Sequence, residues 1–258
     1  MGGSVSADNS AILLAAGQGT RIEGATAEPK VLLNLHGRSL LERHFEAWET
    51  VGLQHAILVV GYEQQLIRKA VAALDTPLEI TWVDNQEYAT KGNTHSMWLG
   101  LEASPAGAIV FDADLVYEPA ILKRFVEVPD PNSILVGTGS LDDIECAKAL
   151  MDEDGCVRKT IDKRAITETE LREFSFAGEA IGILSFDAST SAKLTTFTEA
   201  FLSDPANAML NWEHLFNLFL PTHDVACHFE PSDQWLEIDT PEDYALALEK
   251  FASCAEEA

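Results

Sequence analysis

The sequence predicts an α/β fold, a mixed and mostly parallel sheet with helices on both faces and a small second lobe. Three observations carry this. Apolar runs of strand length alternate with helically spaced segments between residues 11 and 112, over short connections. Parallel neighbours need crossovers of about a dozen residues, which the helical segments supply. The 258 residues, 47% of them hydrophobic, suffice for one large core, and no repeat, low-complexity tract or linker divides them.

The elements follow in order. Ala11 to Ala16 is an apolar strand that runs into a glycine turn at Gly17 to Gly19. Ser39 to Val51 is an amphipathic helix with Ser39 as N-cap and Gly52 closing it. His55 to Val60 is a β-branched strand, Gln64 to Leu74 a helix, Leu78 to Val83 a strand, Thr94 to Glu102 a helix, and Ala108 to Phe111 a short buried strand ending at Asp112. The second half is less regular. Ser133 to Val136, Ala147 to Met151, Val157 to Ile161 and Ile181 to Phe186 read as strands, the middle ones antiparallel. Helices follow at Ser189 to Ser203 and Trp212 to Leu220, then a strand at Val225 to Phe229 and a closing helix at Pro241 to Ala252. The expected organisation is a flexible leader over 1–10 and a single domain over 11–254 in two halves, 11–130 and 131–254.

Charge narrows the partners. With 42 Asp and Glu against 17 Lys and Arg, the net charge of -25 argues against nucleic acid or anionic membranes, since no concentrated basic patch offsets it. Cys146, Cys156, Cys227 and Cys254 lie far apart without metal-ligand spacing, as reduced thiols do. No apolar run is long enough to span a bilayer, so a cytoplasmic address is expected.

Ligands of open α/β sheets sit at the carboxyl ends of the strands. The first strand ends in Leu14-Ala15-Ala16-Gly17-Gln18-Gly19-Thr20-Arg21, followed by Pro29-Lys30. Small residues let backbone N–H groups approach phosphate oxygens, and Arg21 and Lys30 supply the cations a triphosphate requires. Neither a Walker loop nor a dinucleotide fingerprint fits, because the Gly-Lys-Ser/Thr and the third glycine are missing. The fourth strand ends in Val110-Phe111-Asp112-Ala113-Asp114, and a later segment reads Trp235-Leu236-Glu237-Ile238-Asp239-Thr240-Pro241. Carboxylates at a strand end beside a phosphate loop suit Mg²⁺. Asp239 or Thr240 alone also reads as a cap for the helix opening at Pro241. Asn85, Tyr88, Gly92, Asn93, Thr94 and Ser96 form a turn that either reads the edge of a base or caps a helix at Asn93 or Thr94.

Leu-Ala-Ala-Gly-x-Gly-Thr-Arg with a downstream Pro-Lys resembles the signature of the nucleotidyltransferases that join NTPs to sugar phosphates and related phosphomonoesters. The resemblance covers nearly the whole chain and implies a Rossmann-like GT-A type sheet. By that match Asp114 and Asp239 hold Mg²⁺, with Asp112 as a neighbour on the nucleotide side. It further implies nucleotide contacts from Leu14, Ala15, Ala16, Gly17, Gly19, Thr20, Asn85, Gly92, Asn93 and Thr94, and catalytic cations at Arg21, Lys30 and Lys163. Lys163 belongs to Arg158-Lys159-Thr160-Ile161-Asp162-Lys163, similar to the family's Ile-x-Glu-Lys-Pro, with Asp162 in place of Glu and Arg164 in place of Pro. Asn-x-x-Tyr and Asn-x-x-Ser resemble the small cytidylyltransferases acting on phosphocholine or aminoethylphosphonate. Asn211-Trp212-Glu213 looks like their Tyr-Trp-Asp segment. Glu179 is then expected to meet a hydroxyl or ammonium of the acceptor, and Tyr88, Trp212 and Trp235 to wall a cationic group, although tryptophans at helical spacing are more often core.

The resemblance therefore implies a Mg²⁺-dependent transfer of CMP from CTP to a small phosphate or phosphonate monoester, with release of pyrophosphate. The alternatives are a sugar-1-phosphate or inositol-phosphate nucleotidyltransferase and an inactive nucleotide-binding regulatory subunit. A homodimer is compatible with either.

Overall fold

The computed structural model describes residues 9–19, 28–104 and 106–252. Thr20, Arg21, Cys254 and nearly all of the expected leader lie outside the described residues. The first half alternates as expected: β1 (Ser10–Ala15), a 3₁₀ turn at Lys30–Leu32, a hairpin of β2 (Asn34–Leu35) and β3 (Arg38–Ser39), α1 (Leu40–Thr50), β4 (His55–Val60), α2 (Gln64–Val71), β5 (Glu79–Asp84), α3 (Asn93–Ala103) and β6 (Ala108–Asp112). Then come β7 (Leu115–Tyr117), α4 (Pro119–Val126), β8 (Ser133–Gly137), β9 (Lys148–Met151), β10 (Val157–Ile161), α5 (Glu168–Glu173) and β11 (Ser175–Phe186). The chain closes with α6 (Ala188–Leu202), α7 (Trp212–Phe219), β12 (Ala226–Phe229), β13 (Trp235–Glu237) and α8 (Pro241–Lys250).

Nine strands form one mixed sheet in the order β10-β9-β11-β6-β1-β4-β5, with β8 on β11 and β12 on β8. β6, β1, β4 and β5 are mutually parallel, so the ends of β1 and β6 open on the same edge. β11 joins β6 antiparallel and extends the sheet into the second half. Alternation along β1 divides the core. Leu13 packs with α1, α2 and α4 on one face, whereas Ile12 packs with α3, α6 and α7 on the other. A third cluster of Leu33, Leu35, Leu40, Val116, Ile238, Ala247 and Phe251 seats α8 against the 3₁₀ turn and the β7/β13 ribbon.

Several boundaries differ from expectation for physical reasons. β11 starts at Ser175 rather than Ile181, because register shifts near Gly178 and between Ala180 and Leu184 break its alternation. β2, β3, β7 and β13 are too short to carry a periodic signal, and α4 and α5 complete only one or two turns. The N-cap of α3 is Gly92, not Asn93 or Thr94. The Ser39 cap is confirmed as a full capping box with Glu42. Cys146, Cys156 and Cys227 are free thiols, and no helix among the described residues is long and apolar enough to cross a membrane.

Candidate active site

At the carboxyl edge of β1 and β6 lies a cavity of about 310 Å³. Leu14, Ala15, Ala16, Gly17 and Gly19 form one wall, and Asp112, Ala113 and Asp114 the adjoining one. Gly19 has φ of +61°, and a Cβ there would lie 2.7 Å from Cγ of Lys30, so the turn is shaped around the lysine stem. Lys30 Nζ donates to Asp114 Oδ2 at 3.1 Å and to Asp239 Oδ1 at 2.5 Å, across 209 positions of sequence in the second case. Burial opposes the ammonium charge, but the Asp114 and Asp239 carboxylates outweigh it and hold the Lys30 pKa above its ordinary value.

A short ribbon brings the two acidic motifs together. β13 pairs antiparallel with β7, setting Glu237 opposite Leu115, and the Ile238 N–H donates to the Asp114 carbonyl at 3.0 Å. Capping duty falls to Thr240, whose hydroxyl accepts from the Asp243 N–H in a full capping box, so the Asp239 side chain is not spent on the cap; it borders a neighbouring cavity that shares Glu237 with the first and meets Lys30 and Lys163 of the first cavity's wall. Asp114, Glu237 and Asp239 each place a carboxylate oxygen within 4.8 Å of the others. Three hard oxygen donors in that space fit a divalent ion of the Mg²⁺ type. Glu237 was missed in the sequence, yet it sits two residues before Asp239 at the end of a strand, where residues of one parity share a face.

The basic segment that starts in β10 and runs on past it resolves into supports and one lysine turned to the cavity. Arg158 is bound to Asp152 and Asp224, while Lys159 and Arg164 both pair with Glu170. Lys163 alone of this group lines the cavity, with Nζ 3.6 Å from Asp239 Oδ2 and a left-handed φ of 43°.

The opposite wall holds Tyr88, Lys91, Gly92, Asn93 and Ser96. It is stapled to the segment before α7: Gly92 N–H donates to the Ala208 carbonyl at 2.8 Å, Thr94 Oγ1 to the Leu210 carbonyl at 2.7 Å, and the Trp212 N–H to Asn93 Oδ1 at 3.0 Å. Two expected base contacts therefore stand behind the wall. Thr94 is fully buried on its staple, and the Asn85 amide is engaged by Ser96 Oγ and the Glu87 N–H. A Cβ at Gly92 would lie 2.6 Å from the Leu210 carbonyl oxygen, a backbone atom with little room to give. Gly92→Ala should lower stability by about 1–3 kcal/mol in urea unfolding and raise the nucleotide KM. An unchanged midpoint would show that this close approach is absent.

The acceptor side divides. Trp212 lines the first cavity but is 1% exposed and donates through Nε1 to Asp112 Oδ2 at 3.3 Å. Glu179 and Trp235 line a second cavity of about 460 Å³, which adjoins the first at Glu145 and Glu237. Tyr88, Trp212 and Trp235 thus do not meet as one aromatic box. Burial, reinforced by Asp143, pushes the Glu179 carboxyl up to about 7. A raised acid binds more protons folded than unfolded, so stability falls as pH climbs from about 4.5 to about 7. Glu179→Gln should therefore melt higher than wild type at pH 8, with the gap closing below pH 4.5. An equal gap at both pH values would contradict the shift.

A glycine turn at a parallel sheet edge, with lysines beside clustered carboxylates, is the arrangement this chain shares with nucleotidyltransferases. The family model of the MobA-like NTP transferase domain matches residues 11–153, and the chain belongs to that family. It is 28% identical over 155 residues to CMP-5'-(3-aminopropyl)phosphonate synthase of Streptomyces rubellomurinus, covering 60% of this chain and 24% of that protein. It is 26% identical over 250 residues to the bifunctional IPC transferase and DIPP synthase of Aquifex aeolicus, covering 95% and 52%. The chain spans between about a quarter and a half of these relatives. The fold matches the CTP:phosphocholine cytidylyltransferase LicC of Streptococcus pneumoniae, with TM-score 0.73, 22% identity and coverage of 93% and 97%. It also matches the inositol-1-phosphate CTP transferase of T. maritima, with TM-score 0.76, 21% identity and coverage of 97% and 98%.

Proposed function

We propose that the chain transfers CMP from CTP to a small phosphate or phosphonate monoester of the phosphocholine or 2-aminoethylphosphonate type, releasing pyrophosphate, with Mg²⁺ as cofactor. The observation that carries this reading is the convergence of Lys30, Lys163, Asp114 and Asp239 beside the Gly17 to Gly19 turn. The aminoalkylphosphonate relative and the two CTP-dependent structural neighbours support the choice of CTP.

An acceptor oxygen attacks the α-phosphorus, a new P–O bond forms there, and the bond to the bridging oxygen breaks as pyrophosphate leaves. The attacking oxygen of a phosphate or phosphonate is already ionised near neutral pH, so no side chain has to remove a proton. The obstacle is repulsion between two anions, and catalysis rests on positioning and charge. Backbone N–H groups of the Gly17 to Gly19 turn cradle the triphosphate, and Lys30 with Arg21 neutralises the β- and γ-phosphates. Lys163 holds the incoming phosphoryl group. Asp114 and Asp239, joined by Glu237, would hold Mg²⁺, which supplies Lewis-acid polarisation when bound. The clustered carboxylates favour that ion: Asp114, Glu237 and Asp239 each bring an oxygen within 4.8 Å of the others, where a divalent cation would offset their mutual repulsion.

A polyol phosphate is the second reading, favoured by the 95% coverage of this chain in the Aquifex comparison. The acceptor end weighs against it, because Ala147, Ala180 and Ile181 offer no hydrogen bonds and the polar groups beside them are mainly carboxylates. The assembled Lys30, Asp114 and Asp239 weigh against an inactive regulatory subunit, which needs no such set.

The test is pyrophosphate release with four NTPs crossed against phosphocholine, phosphoethanolamine, 2-aminoethylphosphonate, inositol phosphate and hexose 1-phosphates. A signal confined to CTP and the amine acceptors, lost with EDTA, is expected. Preference for UTP with a hexose 1-phosphate would replace this reading with the sugar one.

A further inference from the structure

Among the acidic side chains of the first cavity that the proposed transfer leaves without a task, Glu213 stands apart. Glu213, in the first turn of α7, is 7% exposed and lines the cavity together with Lys163 and Asp114. Its Oε2 is buried and has no hydrogen-bond partner among the described residues. Its carbonyl accepts from Thr160 Oγ1 at 2.7 Å, and the Asn217 side chain bonds the Thr160 backbone twice, so the Glu213 backbone is fixed to β10 beside the cavity. The other acids at the acceptor end differ. Glu145 and Glu237 are exposed at the junction of the two cavities, and Asp112 Oδ2 already accepts from the Trp212 indole.

A buried carboxyl oxygen without a donor is costly, the more so when charged, and it becomes favourable once a ligand supplies the missing donor. We propose that Glu213 is the receptor for a primary ammonium group on the acceptor, so that the substrates are amino-bearing phosphate or phosphonate monoesters rather than quaternary amines. This rests on the transferase reading and narrows its acceptor class.

Two features of the cavity separate the primary from the quaternary group. A carboxylate oxygen lacking a partner is satisfied by N–H donors, and a trimethylammonium group has none. A quaternary group would instead need several open aromatic faces around it, but the Trp212 ring is buried edge-on against Phe216 at 5.5 Å and 85° and Trp235 lies in the other cavity, which leaves Tyr88 as a single half-buried aromatic on this wall. Burial pushes the Glu213 carboxyl up to about 8 while Lys163 draws it down, and an ammonium beside it pulls in the same direction as Lys163, towards the charged form. Lys163 and an ionised Glu213 bordering one space are the complement of a zwitterion that carries its anion and its ammonium a few bonds apart.

The experiment is calorimetric titration of phosphoethanolamine, 2-aminoethylphosphonate, ethylphosphonate and phosphocholine into the full chain with Mg²⁺ and a CTP analogue methylene-bridged between the α- and β-phosphates. Wild type should bind the two primary amines about ten- to hundred-fold more tightly than ethylphosphonate, and more tightly than phosphocholine. Glu213→Gln should erase most of that preference, with a melting curve confirming that it is folded. Equal wild-type affinities for phosphocholine and phosphoethanolamine overturn the inference, whatever the variant does. So does a Glu213→Gln protein that keeps the preference, or one that loses affinity for the nucleotide analogue instead. If the ammonium preference is present and vanishes in the variant while no acceptor yields pyrophosphate, the transferase reading fails and the ammonium receptor stands. Turnover that ignores the amine removes the ammonium receptor and leaves the transferase reading in place.

Discussion

Lys30→Ala is expected to lower kcat for pyrophosphate release by about 10³-fold or more, the scale lost when a cation is removed from a transferring phosphoryl group. The same side chain balances the acidic cluster at rest. With its Nζ 3.1 Å from Asp114 and 2.5 Å from Asp239, its removal takes away the cation held between the two carboxylates, while Lys163 stays 3.6 Å from Asp239. At an effective dielectric near 20, two unit charges at 4 Å interact by about 4 kcal/mol. The variant should therefore melt lower than wild type in EDTA and recover more than wild type when Mg²⁺ is added. Steady-state kinetics and melting curves with and without Mg²⁺ read both effects. A variant that is active, or that is equally stable in EDTA, contradicts the position given to Lys30.

Asp114→Ala should cost about 10²–10³ in kcat, and Asp239→Ala should cost a similar amount. Because both carboxylates are assigned to one ion, their effects should not add. The double variant is expected to be scarcely worse than either single one, as for groups that act as a unit. Additive losses across the double-mutant cycle would mean that the two residues serve separate tasks. Each variant keeps the Thr240 capping box and the Ile238 N–H to Asp114 carbonyl bond, neither of which uses the altered side chains, so the fold is expected to persist.

Much of this site was legible in the sequence because its motifs sit where secondary structure changes. Gly17 to Gly19 stands at the end of β1, and Asp112 to Asp114 at the end of β6, positions that apolar run lengths reveal. What joins them to Asp239 was not legible: β7 and β13 have three residues each, and a ribbon of that length has no period to detect. The same holds for the pairing of side chains. Of Arg158, Lys159, Lys163 and Arg164, only the ion pairs to Asp152, Asp224 and Glu170 show that Lys163 is the one left to the cavity. Asn85 and Thr94 have the chemistry to read a base, but their hydrogen bonds are used inside the wall. Glu213 belongs to the Asn211-Trp212-Glu213 segment, but its own role was hidden, since burial of a glutamate is not visible along the chain.

The fold also explains why the acceptor side was harder to place than the nucleotide side. Parallel strands deliver their ends to one edge by topology alone, so the turn after β1 and the acids after β6 must meet. The residues assigned to the acceptor come from scattered elements: Glu179 from β11, whose antiparallel pairings carry register shifts that move a side chain to the other face, Trp235 from the three-residue β13, and Glu213 from α7. Glu179 and Trp235 accordingly face the second cavity while Glu213 faces the first.

Asp114 and Asp239 are proposed to hold one divalent ion against the triphosphate. This assignment is tested most directly by anomalous diffraction from crystals grown with Mn²⁺ and CTP. A single peak within coordination distance of both carboxylates and of the triphosphate is expected; two peaks, one on each aspartate, or a peak remote from both would contradict it.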